Sequence, residues 1–195
     1  FFYLNEYGNL FIENRYTQFR SYYPYTTLRN LWMLSRYVPA EKIMIEFLNK
    51  WKNQDIYKDD PFAPANYSFD YLFAITMPGQ PLAFLDAADL PDTPFENPDL
   101  IKTYRQIQHD FHQGMILPVG EEPSGKSWTG FQSIREDEGY LLIFREQSTN
   151  KQEYVRTFFK PGLFVEFTPI LGEGRKFRQK INESGTVPIL LPNKN

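Results

Sequence analysis

Residues 97–114 read NPDLIKTYRQIQHDFHQG, and the organisation of the chain changes at this stretch. Asn97-Pro98-Asp99 is a typical helix start, because proline suits the first turn and asparagine can cap its free amides. The apolar side chains that follow recur at helical spacing: Leu100, Ile101, Tyr104, Ile107 and Phe111. Gly114 is expected at the C′ position, where a helix commonly ends. The stretch predicts one helix between two regions of different apolar periodicity.

On the N-terminal side of this helix, the apolar pattern is helical. Residues 25–37 and 38–52 each place apolar side chains on one face, which predicts two helices, with Pro39 opening the second. The apolar run 69–77 predicts a short buried helix that ends where a proline and a glycine follow. We therefore expect a helical segment over residues 1–115.

On the C-terminal side, short apolar segments alternate with turn signals and no helical pattern separates them. The predicted strands are residues 129–134, 140–146, 153–159, 163–168, 176–181 and 186–191. Gly172-Glu173-Gly174 is one of the turn signals and predicts a hairpin turn. Six short strands in succession favour a small antiparallel β-sandwich over residues 116–195. The fold class predicted for the whole chain is α+β.

Composition excludes several classes of partner. The chain has 21 basic and 24 acidic side chains, a net charge of -3, so we expect no nucleic-acid partner. It contains no run of about 18 apolar residues, so we expect no membrane partner. Cysteine is absent and no cofactor is expected. A homo-oligomer stays open, and a periplasmic or secreted location is favoured over a cytoplasmic one. The first methionine is Met33, so an upstream segment is expected.

Three features occur in an order that resembles a known family. An aromatic and asparagine-containing strand end comes first, the helix with LIKTYR at 100–105 follows, and the strand GYLLIFR at 139–145 comes last. This order resembles the last units of the (β/α)₈ (TIM) barrel and the C-terminal β-sandwich of the α-galactosidases of glycoside hydrolase family thirty-six and their relatives. The resemblance covers most of the chain and implies that this is a barrel fragment joined to a C-terminal domain.

The resemblance also implies an activity in carbohydrate metabolism. Retaining glycosidases use two carboxylates at the carboxyl ends of barrel strands, one as nucleophile and one as acid/base. The family's nucleophile lies on an earlier strand that this chain does not contain. The isolated chain is therefore expected to be inactive, with carbohydrate and the upstream barrel portion of the same protein as its partners.

Glu13, in the segment LFIENRYT at 10–17, is the candidate acid/base. The family has an aspartate at this position, and the additional methylene of glutamate would move the carboxyl group by more than an ångström. A misplacement of about 1 Å can lower the rate on the order of 10²-fold. The alternative is a loop glutamate that pairs with Arg15 or Arg20.

Four residues are candidates for substrate binding: Arg15, Tyr16, Tyr23 and Trp128. The aromatic rings could stack on the C–H faces of a sugar. For the tyrosines, anchoring of the core or of a loop is the alternative. Trp128 lies in a loop between glycines, where it could instead cover a domain interface.

Two further motifs have a competing interpretation. GEEPSGKS at 120–127 matches the phosphate-binding loop pattern, but a strand-like run follows it instead of a helix, and its two glutamates would repel an anion. His109 and His112 are spaced so that both could reach one metal, but no third ligand is identifiable. We therefore predict no nucleotide site and no metal site, and we expect both histidines to face solvent.

Two functional hypotheses of different classes follow. The first is the C-terminal region of an α-galactosidase-like glycoside hydrolase, in which a barrel sheet covers the apolar faces of the helices at 25–37 and 38–52. The second is a non-catalytic carbohydrate-binding or protein-interaction module. A self-contained protein of unrelated function is a third possibility.

Overall fold

The computed structural model describes residues 8–12, 23–52, 54–57, 59–83, 90–92, 97–136, 138–172 and 174–192. The fold is α+β, as predicted. Among these residues the helices are α1 (Pro24–Leu34), α2 (Gln54–Tyr57), α3 (Phe69–Ala74) and α4 (Pro98–Gln113), with 3₁₀ turns at Ala40–Lys42 and Pro64–Asn66. The strands are β1 (Leu10–Ile12), β2 (Ile43–Glu46), β3 (Gln80–Leu82), β4 (Met115–Gly120), β5 (Thr129–Arg135), β6 (Glu138–Phe144), β7 (Gln152–Arg156), β8 (Phe164–Phe167), β9 (Phe177–Lys180) and β10 (Thr186–Leu190).

The N-terminal half contains a parallel sheet in the order β1-β2-β3. Its central strand β2 lies within residues 38–52, so the prediction of a helix there is wrong. Ile43 and Ile45 are fully buried in the hydrophobic core, and the pairing of β2 on both sides outweighs the local helical spacing. Helix α1 packs Leu28 and Leu31 into the same core as these isoleucines, so the sheet covers its apolar face.

The helices on either side of β3 agree with the sequence. The helix predicted at 69–77 is α3, and the Ser68 side chain accepts a hydrogen bond from the Tyr71 amide at its start. In α4 the Asn97 side chain accepts from the Leu100 amide at 3.3 Å, which confirms the predicted cap. The helix ends at Gly114 as predicted, but Gly114 is extended (φ -75°) and does not have the left-handed conformation that is common for a glycine after a helix. A side chain there would collide with Ser133, which explains the glycine sterically. Among the described residues, no helix has the length and apolarity needed to cross a bilayer.

All six strands predicted after residue 115 are present as β5 to β10, and β4 is an additional strand. They form the antiparallel sheets β4-β5-β6, β7-β10 and β8-β9. Pro118 interrupts the apolar pattern of β4, and β4 tolerates it because it lies at the edge of its sheet. The two small sheets pack against one face of the three-stranded sheet, which is compatible with the predicted sandwich.

The β4-β5-β6 sheet is shared between two hydrophobic cores. One face, represented by Phe131 and Phe144, packs with α1 and β2. The other face, represented by Val119 and Ile143, packs with the two small sheets. The boundary between residues 1–115 and 116–195 therefore runs through one continuous core. The division of the chain into two domains stays a prediction.

Candidate functional site

The carboxyl ends of β1, β2 and β3 lie along one edge of the parallel sheet, where Ile12 pairs with Ile45 and Glu46 pairs with Leu82. In α/β folds, binding and catalytic groups collect at this edge, because each strand delivers the start of the next segment there. Functional side chains are therefore expected at this edge.

Glu46 is the last residue of β2 and only 6% exposed. Buried carboxylates are uncommon because burial is costly, so a buried glutamate at the end of a central parallel strand is a candidate functional residue. The sequence analysis missed Glu46 because it assigned residues 38–52 to a helix. The apolar run Ile43-Met44-Ile45 just before it is the signal of a buried strand that could have revealed it.

Asn49 lies three residues beyond Glu46 and is also buried. Its Oδ1 accepts hydrogen bonds from the amides of Trp51 at 2.9 Å and Lys52 at 3.2 Å. This fixes the turn by which the chain leaves the carboxyl end of β2. Asn49 therefore has a structural role here, because its side chain holds the backbone of the turn that follows β2.

Of the residues predicted from the sequence to bind substrate, Tyr23 lies just before α1, in the segment that follows β1. Its hydroxyl group donates a 2.7 Å hydrogen bond to Asp60, which lies in the segment that follows β2. This bond, together with partial burial, raises the pKa of Tyr23 to about 12. The Tyr23 ring stacks on Tyr25, and both rings contact the edge of Phe62. Tyr23 thus joins the start of α1 to the segment between β2 and β3.

Glu13, Arg15 and Tyr16 lie outside the described residues. Glu13 follows Ile12 directly in sequence, and Ile12 pairs with Ile45, the residue before Glu46. The role of Glu13 as acid/base, and of Arg15 and Tyr16 in substrate binding, stays a prediction.

Trp128 is only 4% exposed and packs in the core between the antiparallel sheets, while its indole N–H donates to the Asn150 carbonyl at 3.3 Å. Little of its ring is left to stack on a sugar, which favours a structural role for it. A shallow depression of about 260 Å³ borders this ring, and its lining includes Lys126, Glu153 and Tyr154. Tyr154 is 62% exposed and offers a more accessible ring than Trp128.

The 120–127 loop departs from a nucleotide site in the expected way, since β5 and not a helix follows it. Its backbone amides are turned toward a carboxylate of the protein itself. Glu146 Oε2 accepts from the amide of Ser127 at 2.7 Å and from that of Ser124 at 3.1 Å. Burial raises the pKa of Glu146, although these amides favour its ionised form.

The two histidines differ in their burial and in their hydrogen-bond partners. His109 is exposed as expected, but His112 is half-buried, so the expectation is wrong for His112. The Met77 carbonyl accepts from His112 Nε2 at 3.0 Å, and Asp110 accepts from the Tyr140 hydroxyl at 2.8 Å. Within the part of the chain that the structure describes, no three His, Cys, Asp or Glu side chains are grouped to hold a metal.

With this geometry in place, comparison with known proteins adds no assignment. No protein-family description matches the chain, and no curated protein and no solved structure is significantly similar to it.

Proposed function

We propose that this chain is the C-terminal region of an α-galactosidase-like glycoside hydrolase, with its sugar site at the carboxyl edge of β1, β2 and β3. The observation that carries the proposal is the buried Glu46 at the end of the central strand of this sheet. Three parallel strands in sequential order, separated by helices, are the arrangement expected of consecutive units of a (β/α)₈ barrel.

The edges of the parallel sheet support the same proposal. The described residues contain three parallel strands and no closed barrel, with β1 and β3 at the two edges. Edge strands carry unpaired backbone groups, and closure into a barrel removes them. The upstream barrel portion of the same protein would supply the remaining strands.

In this proposal the two glutamates have different roles. Glu13 acts as the acid/base that protonates the leaving oxygen, and the nucleophile comes from the upstream portion. Glu46 accepts hydrogen bonds from sugar hydroxyl groups, because a carboxylate that is buried and fixed at a strand end can orient a polar ligand without losing further entropy. The isolated chain therefore has no complete catalytic pair.

The test is hydrolysis of an aryl α-galactoside by the chain produced together with the coding segment upstream of Phe1. We expect turnover by the longer protein and none by the isolated chain. Glu13→Gln should lower kcat by about 10²-fold or more, and Glu46→Gln should raise KM. Glu183→Gln, at an exposed turn, is the matched control and should change neither constant. Turnover by the isolated chain, or a longer protein indifferent to Glu13→Gln, would overturn the proposal.

A second candidate function, non-catalytic carbohydrate binding, is favoured by the depression beside Tyr154. An exposed ring next to Lys126, Asn150 and Glu153 combines a stacking surface with hydrogen-bonding groups. Titration of the isolated chain with galactose distinguishes the two candidates. Binding that is lost in Tyr154→Ala but kept in Glu46→Gln would favour the second function, and the opposite pattern would favour the first.

A further inference from the structure

Glu146 lies two residues beyond the end of β6 and is 1% exposed. One of its carboxylate oxygens accepts the amides of Ser124 and Ser127. The nearby amides of Gly125 and Lys126, between them in sequence, also favour the charged form of this carboxylate. The first and the last of these four consecutive residues therefore donate their amides to one carboxylate oxygen.

Amides of one short loop that converge on a single anion form a nest-like site, similar to the arrangement by which glycine-rich loops bind phosphate. In this chain the anion in the nest is a side chain of the protein. This accounts for the GEEPSGKS pattern at 120–127 without a nucleotide: the loop has the backbone geometry of an anion site, and Glu146 occupies it.

The backbone and the second oxygen of Glu146 point to the same conclusion. Glu146 has a positive φ of 30°, which is uncommon for a residue with a side chain and costs energy. Its Oε1 is buried and has no hydrogen-bond partner. A strained, partly unsatisfied carboxylate is retained where the surrounding structure depends on it. The ionisable groups that face it from the neighbouring segment are Tyr67 and Tyr71.

The loop held by Glu146 contacts two aromatic rings near Tyr23 and Asp60 in sequence. Gly125 has a φ of +88°, and a Cβ placed on it would lie 2.6 Å from the Phe62 ring and 3.2 Å from the Tyr25 ring. Next to Glu146, the Gln147 side chain donates to the Pro61 carbonyl at 2.6 Å. Residues 61–62 directly follow Asp60, the partner of Tyr23.

We propose that Glu146 is a positioning residue: its carboxylate is the internal ligand of the 120–127 amide nest and holds that loop against Phe62 and Tyr25. The segment that carries Asp60 is thereby fixed against this loop and, through the Tyr23 hydrogen bond, against the start of α1. This inference rests on the geometry of the nest and is independent of the proposed sugar chemistry.

The test uses the full 195-residue chain with Glu146→Gly and sodium formate. Glycine suits the positive φ and leaves the nest without an anion, so we expect Tm to fall by about 5 °C or more. Formate should restore part of this loss in Glu146→Gly, compared with sodium chloride at equal ionic strength. It should not stabilise the wild type or Glu146→Gln, whose nests are filled. Equal stabilisation of all three chains, or of none, would overturn the internal-ligand role.

Two NMR measurements complete the test. In the wild type, the chemical shifts of the Ser124 and Ser127 amide protons should follow one common titration curve with pH, and this curve should be absent in Glu146→Gln. Separate curves, or no change of the shifts with pH, would count against the nest. The second measurement reports positioning: the Gly125 Hα signals, shifted by the Phe62 ring, should move toward ordinary values in Glu146→Gly and return with formate. Unchanged Gly125 signals would overturn the positioning role. The titration of the wild type tests whether Glu146 is the ligand of the nest even if the Glu146→Gly variant does not fold.

Discussion

The Tyr23 hydroxyl group and the Asp60 carboxylate are joined by a 2.7 Å hydrogen bond across 37 residues of sequence. The bond connects the residue before α1 to the segment between β2 and β3. The position of these two segments relative to each other therefore depends on a contact between two polar side chains that no strand contains.

Asp60→Asn should lower the pKa of Tyr23 from about 12 toward its ordinary value of 10.0, because the hydrogen bond to Asp60 is the main cause of the shift. Alkaline titration followed by NMR of the tyrosine ring carbons measures this, with Tyr23→Phe to assign the signal. Tyr140, whose pKa is also raised to about 12 but which bonds to Asp110, is the internal control and should not change. An equal shift of both tyrosines would point to general loosening of the fold.

Gly125→Ala should destabilise the chain more than Gly162→Ala does. Both glycines have φ near +88°, which costs alanine about 1–2 kcal/mol. Only Gly125 faces a ring, since nothing lies within 4 Å of a Cβ at Gly162. Crowding against Phe62 should add about 1–3 kcal/mol. Urea unfolding gives both values, and equal losses in the two variants would show that the ring contact is absent in solution.

Stability should fall with acid through the titration of His112. The Met77 carbonyl can only accept, so His112 Nε2 carries the hydrogen and Nδ1 faces the amide nitrogen of Gln80. Gln80 keeps this orientation because its Nε2 also donates to the Glu41 carbonyl. A proton on Nδ1 would therefore meet a donor.

Burial, the largest effect, lowers the pKa of His112 from 6.5 in the folded state. The unfolded chain then binds the proton more readily, so this contribution to stability is present above pH 6.5 and is lost as the pH falls through the folded-state value. We expect the free energy of unfolding, measured with urea from pH 8 to 5, to depend less steeply on pH in His112→Gln than in the wild type. His109→Gln, at an exposed position, should have the same pH dependence of the free energy of unfolding as the wild type.

Phe131→Ala should lower the free energy of unfolding by about 3–5 kcal/mol. Phe131 is fully buried in the core to which residues on both sides of residue 115 contribute. Phe164→Ala is the control: Phe164 is 63% exposed, with Arg178 and Lys180 over its ring, and its loss should stay within about 1 kcal/mol. Circular dichroism in the far and near ultraviolet should follow one shared transition in Phe131→Ala. Two separate transitions would show that residues 1–115 and 116–195 unfold independently.

The sequence predicts those elements whose signals are local. Helix α4 has its cap and its period within residues 97–114, and the turns between β5 and β10 mark the strands directly. Strand β2 could not be predicted in this way, because its identity depends on pairing with β1 and β3, which are distant in the chain. The burial of Glu46 depends on the same pairing.

The predicted site residues show the same limit. Tyr23 is anchored by a hydrogen bond to Asp60, and no signal in the local sequence reveals this partner. Trp128 stands between glycines, which suggests an exposed loop, whereas distant strands bury it. The phosphate-loop pattern at 120–127 describes a real backbone geometry, and only the fold shows that Glu146 fills it.

Both faces of the three-stranded sheet β4-β5-β6 pack against a hydrophobic core, so each strand carries two sets of core side chains that alternate along it. In β5, Phe131 faces one core and Gln132 the other side, and across the ladder Leu142 and Leu141 are their respective partners. Successive side chains of a strand point to opposite faces, so a slip of one residue would exchange the two sets. An ordinary half-exposed sheet resists such a slip with one buried face. In this sheet both faces oppose the slip. A strand that paired in the wrong register during folding would therefore lose its packing against both cores.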